Sequence, residues 1–349
     1  MSSSSRSPRA IRGASATSIL FLVLLTGCGG NKTTAPTPTT PTPDPPTIAC
    51  PAAAAVTSST STPVTFADPV VSNGKTPLTT SCTPPSGSSF PVGTTIVSCK
   101  TTDALQRLAS CTFNVTVTPP PIISLTRFVA FGDSITWGQD GQDDPNATPL
   151  RVKPLVQVLF PYPIRLLQYL DARYTTQAAQ LSMLNAGNPG EIAGSDTTIT
   201  RFGDVVVRGG TYDAVLLMEG SNDVNLIPGD AGAQNRALSA LQSMIDFAKQ
   251  HGVQPYLATL PPMNPAGMPS RVAGASFVSQ FNVAVAGLAS TEGIPLVDVN
   301  ANISLSLLAP DGLHLRQAGY DKIAQVFLDK LETTAEAPVK TTSLARPAR

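Results

Sequence analysis

Short apolar runs alternate with helical patterns between residues 127 and 331, and this alternation limits the fold of the chain more than any other feature. The apolar runs suit strands buried on both faces, and the segments between them place apolar residues at helical spacing, for example from Leu238 to Ala248. The predicted strands are Arg127–Phe131, Leu181–Asn185, Ala214–Met218, Gln254–Ala258 and Ile294–Val299. Alternating strands and helices predict an α/β domain over residues 124–333, with a parallel sheet between two helical layers.

Polar clusters follow the carboxyl ends of four of these predicted strands. Gly132–Ser134 follows the first strand, Asn185–Gly190 the second, Glu219–Asp223 the third and Asp311–His314 the fifth. In open parallel sheets, ligands bind outside the carboxyl ends of the strands. We therefore expect the four clusters to meet at one edge of the sheet.

The clusters contain the residue types that nucleophilic catalysis requires. A serine hydroxyl is a weak nucleophile at neutral pH and needs a base, which His314 can supply for Ser134. Asp311 can orient the imidazole and stabilise its charged form. An oxyanion hole needs fixed donors, and the candidates are the backbone N–H groups of Ser134 and Gly190 and the side-chain amide of Asn222. Each piece taken singly is typical of turns, so the prediction depends on their combination and order.

In this order the clusters resemble the four sequence blocks of the SGNH (GDSL-type) hydrolases, and the resemblance covers residues 126–332. Phe131–Gly138 and Asp311–Leu315 are close block matches. The resemblance implies a flavodoxin-like three-layer α/β/α sandwich with five parallel strands. It also implies carboxylic ester substrates, no cofactor or metal, and the nucleophile, base, orienting and oxyanion roles given above. The chain has no G-x-S-x-G motif, so the ordinary α/β-hydrolase fold loses its main support.

Two features depart from the family pattern. In the second block Pro189 stands where the family usually has Ser, so Gly187 is the alternative to Gly190 as a donor. A long segment, Gln139–Tyr162, separates the first block from the next predicted helix. We interpret it as a wall or lid of the substrate pocket. Its carboxylates could suggest a calcium site, but their irregular spacing favours a solvated loop.

Residues 47–119 are predicted to form a small β domain that disulfides stabilise. Phe113, Val115 and Val117 alternate with polar residues, as in a half-buried strand. The domain contains an even set of cysteines: Cys50, Cys82, Cys99 and Cys111. Two disulfides fit an exported chain better than zinc, because the sequence has no CxxC pair, but three pairings are possible.

The same segment resembles the HYR (hyalin repeat) domain, an immunoglobulin-like module. The matching parts are Ser89–Thr94, Val97–Cys99, Asp103 and Cys111–Phe113. The resemblance implies a role in adhesion or spacing, and the segment contains no catalytic combination of residues.

The N-terminus predicts export. Three basic residues precede the short apolar run Ile19–Leu25, which is typical of a secretory signal. The run ends in Leu25–Cys28, which resembles a bacterial lipobox and implies removal of residues 1–27 and lipidation of Cys28. The alternative is a plain secretory signal with a chance cysteine. Residues 28–46 are rich in Pro and Thr and predict an extended tether.

The charge balance of the chain argues against nucleic-acid binding. Lys and Arg balance Asp and Glu at 23 each, so no basic field attracts nucleic acid.

We predict a serine esterase in the bacterial envelope, most simply at the outer membrane, that acts on acyl lipid or on O-acetylated polysaccharide. The alternative is an adhesion or scaffold lipoprotein with secondary or no catalysis. Residues 334–349 predict a flexible tail, and the sequence leaves the oligomeric state open.

Overall fold

The computed structural model describes residues 41–141, 156–208, 211–226 and 228–337. The predicted signal sequence, Cys28, most of the predicted tether, most of the Gln139–Tyr162 segment and residues 338–349 lie outside the described residues. No helix within the described ranges is both long and apolar enough to cross a membrane.

The β domain contains eight strands among its described residues. They are β1 (Thr47–Ala49), β2 (Ala54–Thr57), β3 (Thr62–Pro63), β4 (Val70–Ser72), β5 (Thr79–Thr83), β6 (Ser89–Phe90), β7 (Gly93–Thr102) and β8 (Leu108–Thr118). The main sheet has the order β2-β8-β7-β5, in which only the β2–β8 pair is parallel. Phe113, Val115 and Val117 of β8 are buried and Asn114 is exposed, which confirms the alternation read from the sequence.

Two disulfides link the strands of this domain. Cys50 pairs with Cys111, and Cys82 pairs with Cys99, which is its register partner across β5 and β7. The structure thereby selects one of the three pairings that the sequence left open.

The α/β domain follows, and its elements alternate as the sequence predicts. Its strands are β9 (Ile122–Ile123), β10 (Arg127–Gly132), β11 (Ser182–Gly187), β12 (Ala214–Met218), β13 (Gln254–Ala258), β14 (Leu296–Val297) and β15 (Glu336–Ala337). Its helices are α1 (Ser134–Trp137), α2 (Tyr162–Arg173), α3 (Asp196–Arg208), α4 (Ser221–Leu226), α5 (Ala231–Gln250), α6 (Pro269–Val272), α7 (Val278–Glu292), α8 (Val299–Asn302) and α9 (Gln317–Thr334). Two single 3₁₀ turns lie at Ala178–Gln180 and Leu305–Leu307.

Five parallel strands form the central sheet in the order β11-β10-β12-β13-β14. This is the flavodoxin-like order: β11 lies on one side of β10, and the later strands β12, β13 and β14 follow on the other side. Helix α2 packs on α9, while α5 packs on both α3 and α7, so the sheet lies between two helical layers. The expected three-layer fold is therefore confirmed, and it places the loops after β10, β11 and β12 beside one another.

The fifth strand and the end of the domain differ from the sequence-based expectation. Strand β14 covers only Leu296–Val297, because the side chain of Asp298 accepts the Ala301 N–H and starts α8. The predicted tail begins with an ordered strand: Glu336 and Ala337 of β15 pair antiparallel with Ile123 and Ile122 of β9. The β9–β15 pair therefore lies just outside the predicted range of the α/β domain, residues 124–333.

We expect loss of the Cys50–Cys111 bridge to destabilise the β domain more than loss of Cys82–Cys99. The bridges span 61 and 17 residues, and a longer closed loop removes more entropy from the unfolded chain. The chain-entropy relation gives about 4 kcal/mol for the longer loop and about 3 kcal/mol for the shorter one. Calorimetry of the two double Cys→Ser variants measures the difference, with the unfolding transition of the α/β domain as the reference. A larger loss for the shorter loop would contradict the expectation.

Candidate active site

The candidate nucleophile begins helix α1 directly after the first strand of the central sheet. Asp133 caps this helix, because its Oδ1 accepts the Ile135 N–H at 2.8 Å. A Cβ atom at Gly132 would lie 2.1 Å from the Met218 carbonyl oxygen, so only glycine lets the turn approach β12 this closely. The local structure therefore fixes Ser134, which is 5% exposed, at the carboxyl edge of the sheet.

The candidate base and its carboxylate form one tight buried turn. Asp311 Oδ1 accepts the N–H groups of Leu313 and His314, each at 3.0 Å. Asp311 Oδ2 lies 2.5 Å from His314 Nδ1, and His314 Nε2 lies 2.9 Å from Ser134 Oγ. The structure thus brings the three predicted residues into one continuous hydrogen-bonded chain.

The charge on Asp311 determines which imidazole nitrogen faces the serine. Burial alone would raise the pKa of Asp311, but the hydrogen bond and charge of His314 and the N–H of Leu313 lower it below the usual value. The carboxylate therefore accepts the Nδ1–H of His314, which leaves a lone pair on Nε2. That lone pair can accept the proton of the Ser134 hydroxyl.

The candidate oxyanion donors border this chain. Gly190 has a φ of +82°, which suits glycine, and the N–H groups of Ser134 and Gly190 have no acceptor among the described residues. Asn222 Nδ2 donates one hydrogen to the Glu191 carbonyl oxygen at 2.7 Å and keeps its second hydrogen for a ligand. Gly187 instead donates its N–H to Asn185 Oδ1 at 3.0 Å. The geometry therefore favours Gly190 over Gly187 as the donor.

Hydrogen bonds tie the loop of Gly190 to the neighbouring elements. Asp223 accepts the Ala193 N–H at 2.8 Å and the Gly194 N–H at 3.0 Å. Arg201 forms an ion pair with Glu191 and lies 3.9 Å over the ring of Phe131. Sequence reasoning missed the Glu191–Arg201 pair, because two residues ten apart in a loop and a helix give no local signal.

The described ends of the Gln139–Tyr162 segment pack against the turn of Asp311. The Asp140 N–H donates to the Val156 carbonyl at 2.7 Å, and Tyr320 Oη donates to the Gln139 carbonyl at 2.7 Å. A Cβ atom at Gly141 would lie 2.5 Å from Asp311 Oδ1, so this backbone covers the carboxylate.

No group of His, Cys, Asp and Glu within the described ranges could hold a metal ion.

Two cavities border the oxyanion donors, and Ile192 lines both of them. One has a volume of about 290 Å³ and includes Gly190 and the hydroxyl residues Ser195 and Thr197 in its lining. The other has a volume of about 50 Å³ and lies between Asn222 and the exposed side chain of Leu226. The oxyanion donors therefore border a polar recess on one side of Ile192 and a small recess with apolar and charged side chains on the other.

His251, the second histidine, lies at the end of α5 and takes no part in this arrangement. Its ring stacks on Phe247 with centroids 4.1 Å apart, and its Nδ1 lies 2.8 Å from the Phe247 carbonyl oxygen.

Two family models match separate ranges of the chain. The model of the GDSL-like lipase/acylhydrolase family matches residues 130–322, and that of the HYR domain matches residues 42–117. No curated protein matches.

Among solved structures, an aryl esterase of M. smegmatis covers 60% of this chain and 99% of its own, at 16% identity and a TM-score of 0.50. This likeness shows a shared fold. A carbohydrate acetylesterase from Sinorhizobium meliloti gives 14% identity and a TM-score of 0.49 over the same shares of the two chains. A putative arylesterase from Agrobacterium tumefaciens gives 21% identity and a TM-score of 0.47, again with 60% and 99% covered.

Replacement of Asn222 by Ala is expected to lower kcat for ester hydrolysis by about 10²–10³-fold, because it removes one donor from the oxyanion hole. The effect on KM should be small, since the donor acts mainly on the charge that develops in the transition state. Steady-state kinetics on p-nitrophenyl acetate measure both constants. Asn235→Ala, on the exposed surface of α5, is the matched control. Equal kinetics for the two variants would rule out the assigned role of Asn222.

Proposed function

The chain belongs to the GDSL-like lipase/acylhydrolase family, and we propose that it hydrolyses carboxylic esters through a Ser134–His314–Asp311 triad and an acyl-enzyme. The observation that carries the proposal is the unbroken chain of contacts from Ser134 Oγ to His314 Nε2 at 2.9 Å and from His314 Nδ1 to Asp311 Oδ2 at 2.5 Å. Acyl transfer by serine requires a nucleophile, a base and an orienting carboxylate that contact one another in this order.

In the first half of the reaction, Ser134 Oγ attacks the ester carbonyl carbon while its proton passes to His314 Nε2. The carbonyl oxygen becomes an oxyanion that the N–H groups of Ser134 and Gly190 and the amide of Asn222 stabilise. Asp311 stabilises the imidazolium that forms. The tetrahedral intermediate then collapses, the imidazolium protonates the leaving alkoxide, and an alcohol departs from the acylated serine.

In the second half, water repeats the attack on the acyl-enzyme. His314 takes a proton from the water as its oxygen adds to the acyl carbon, and the same oxyanion donors stabilise the intermediate. Ser134 leaves with the proton from His314, and the carboxylic acid is released. The balance is one ester and one water consumed, and one acid and one alcohol formed.

We propose that the substrate is an acyl lipid or an O-acetylated polysaccharide of the cell envelope. The polar recess at Ser195 and Thr197 suits a sugar, and the small recess at Leu226 has room for only a short acyl group. A screen of p-nitrophenyl esters of increasing chain length, run beside acetylated xylan, separates the two classes. Preference for long chains would favour lipid, and acetate release from the glycan would favour polysaccharide.

Replacement of Ser134 by Ala is expected to lower turnover of p-nitrophenyl acetate by about 10⁴-fold or more, because no acyl-enzyme can form. Labelling by a fluorophosphonate probe should disappear in the same variant, while Ser279→Ala, on the exposed face of α7, should be labelled like the wild type. A wild-type chain that neither turns over esters nor labels would favour the scaffold alternative. Activity that persists in Ser134→Ala would refute the assigned nucleophile.

We also propose that the chain is held at the envelope through lipid on Cys28, with the HYR domain as a spacer or adhesion module. The lipobox-like Leu25–Cys28 segment supports this proposal. Expression of Cys28→Ala in a bacterial host should move the protein from the membrane fraction to the soluble fraction and abolish incorporation of labelled palmitate, since multiple acyl chains are needed for stable anchoring. Membrane association that survives the substitution would contradict the anchor.

A further inference from the structure

Two buried carboxyl groups lie next to the nucleophile, and the proposed reaction uses neither. Gly132 and Met218 are register partners in the adjacent parallel strands β10 and β12. The next residues, Asp133 and Glu219, therefore leave the sheet side by side. Asp133 is 0% exposed and Glu219 is 1% exposed.

Three oxygen atoms of this pair lack a hydrogen bond. Asp133 Oδ1 accepts the Ile135 N–H, but Asp133 Oδ2 and both carboxyl oxygens of Glu219 have no partner among the described residues. The buried hydroxyl of Ser221 is also without a partner, yet one hydroxyl proton can serve only one of the three oxygens. Two adjacent buried carboxylates with so few donors between them are strongly unfavourable, so the pair needs a proton of its own.

The surroundings decide which group holds that proton. Burial raises the pKa of Glu219 well above its usual value, and the charges of nearby carboxylates raise it further. The charged and titratable groups around the pair are Asp133, Glu191, Asp223, Arg201, Tyr162, Tyr320 and His314. Burial also raises the pKa of Asp133, but the Ile135 N–H, the nearby hydroxyl and N–H of Ser221 and the charge of His314 act in the opposite direction. Glu219 has no such donor.

Arg201 does not neutralise Glu219, because it is already paired with Glu191. Asp223 is likewise satisfied by two backbone N–H groups. Tyr162 stays neutral, since burial raises its pKa above the usual value. Glu219 is therefore the group in this cluster that has neither a donor nor a cation of its own.

We propose that Glu219 is a positioning residue that stays protonated at neutral pH and donates its O–H to the free oxygen of Asp133. The pair then holds one proton and one negative charge, and the charge resides on Asp133. The bond secures Asp133 as the cap of α1 and so keeps Ser134 Oγ in place 2.9 Å from His314 Nε2. The single charge also favours the imidazolium that forms during the reaction. The inference rests on the proposed function.

Loss of the Glu219 proton has two consequences. A second negative charge next to Asp133 would repel it from the cap, so kcat should fall on the alkaline side as Glu219 ionises. The folded state also holds a proton that the unfolded chain releases. The folded chain should therefore lose stability as pH rises from the unfolded Glu pKa of about 4.3 up to the raised folded pKa.

Replacement of Glu219 by Gln tests both consequences, because the amide keeps an N–H donor but cannot ionise. We expect Glu219→Gln to lose the alkaline limb of kcat and to show a melting temperature that depends less on pH than that of the wild type. Glu219→Leu removes the donor altogether and should lower kcat about 10-fold or more with little change in KM. Glu292→Gln, a partly exposed residue paired with Lys249 at the end of α7, makes the same chemical change away from the site.

Infrared spectroscopy of the full chain tests the proton directly. The difference spectrum between wild type and Glu219→Gln at neutral pH should contain the C=O stretch of a protonated carboxylic acid, and that between wild type and Glu292→Gln should not. A missing band, or a Glu219→Leu variant with the kcat and pH profile of the wild type, would overturn the proposal. A wild-type chain that shows the band but hydrolyses no ester would refute the proposed function and leave the protonation of Glu219 standing.

Discussion

The candidate site depends on one buried negative charge, the carboxylate of Asp311. A buried carboxylate is tolerated only where donors surround it, and here His314 Nδ1 and the N–H groups of Leu313 and His314 provide them. The same three bonds close the turn and set the direction of the imidazole. The backbone around the turn is held as well, because the Met268 N–H donates to the Asp311 carbonyl at 3.0 Å and the Asn264 N–H donates to the Gly312 carbonyl at 2.8 Å. The geometry of the base is therefore a property of the fold rather than of one side chain.

The order of the sheet brings this turn to the serine. Strand β10 lies at the centre, between β11 and β12, so the loop of Ser134 has the loops of Gly190 and Asn222 on either side. Cross-links among these loops then fix their spacing: the Asn188 N–H donates to the Gly132 carbonyl, and Asp223 holds the N–H groups of Ala193 and Gly194. Preorganised donors of this kind need no rearrangement when charge develops on a substrate. The HYR domain at residues 42–117 has its own core and its own disulfides, and none of its residues takes part in the hydrogen bonds named here.

Much of this arrangement could be predicted from the sequence, because its causes are local. Strands β12 and β13 have the predicted limits, since buried parallel strands leave continuous apolar runs. The polar clusters could be placed at one edge because every parallel strand ends there. The features that sequence reasoning missed come from distant residues: β15 is a strand only because β9 offers an edge, and Arg201 is fixed by Glu191 and Phe131. Glu219 begins the polar cluster that follows β12, but nothing in the sequence indicates that it is buried without a donor.

The pairing of β9 with β15 joins the two ends of the α/β domain. Ile122 and Ala337 are register partners, so the chain enters and leaves this domain at a single point. Circular permutation succeeds most readily when termini are adjacent and the new break falls in an exposed loop. A short linker across this pair would therefore close the domain into a ring, which could be reopened at the exposed Gly252 turn after α5 without cutting a strand of the central sheet.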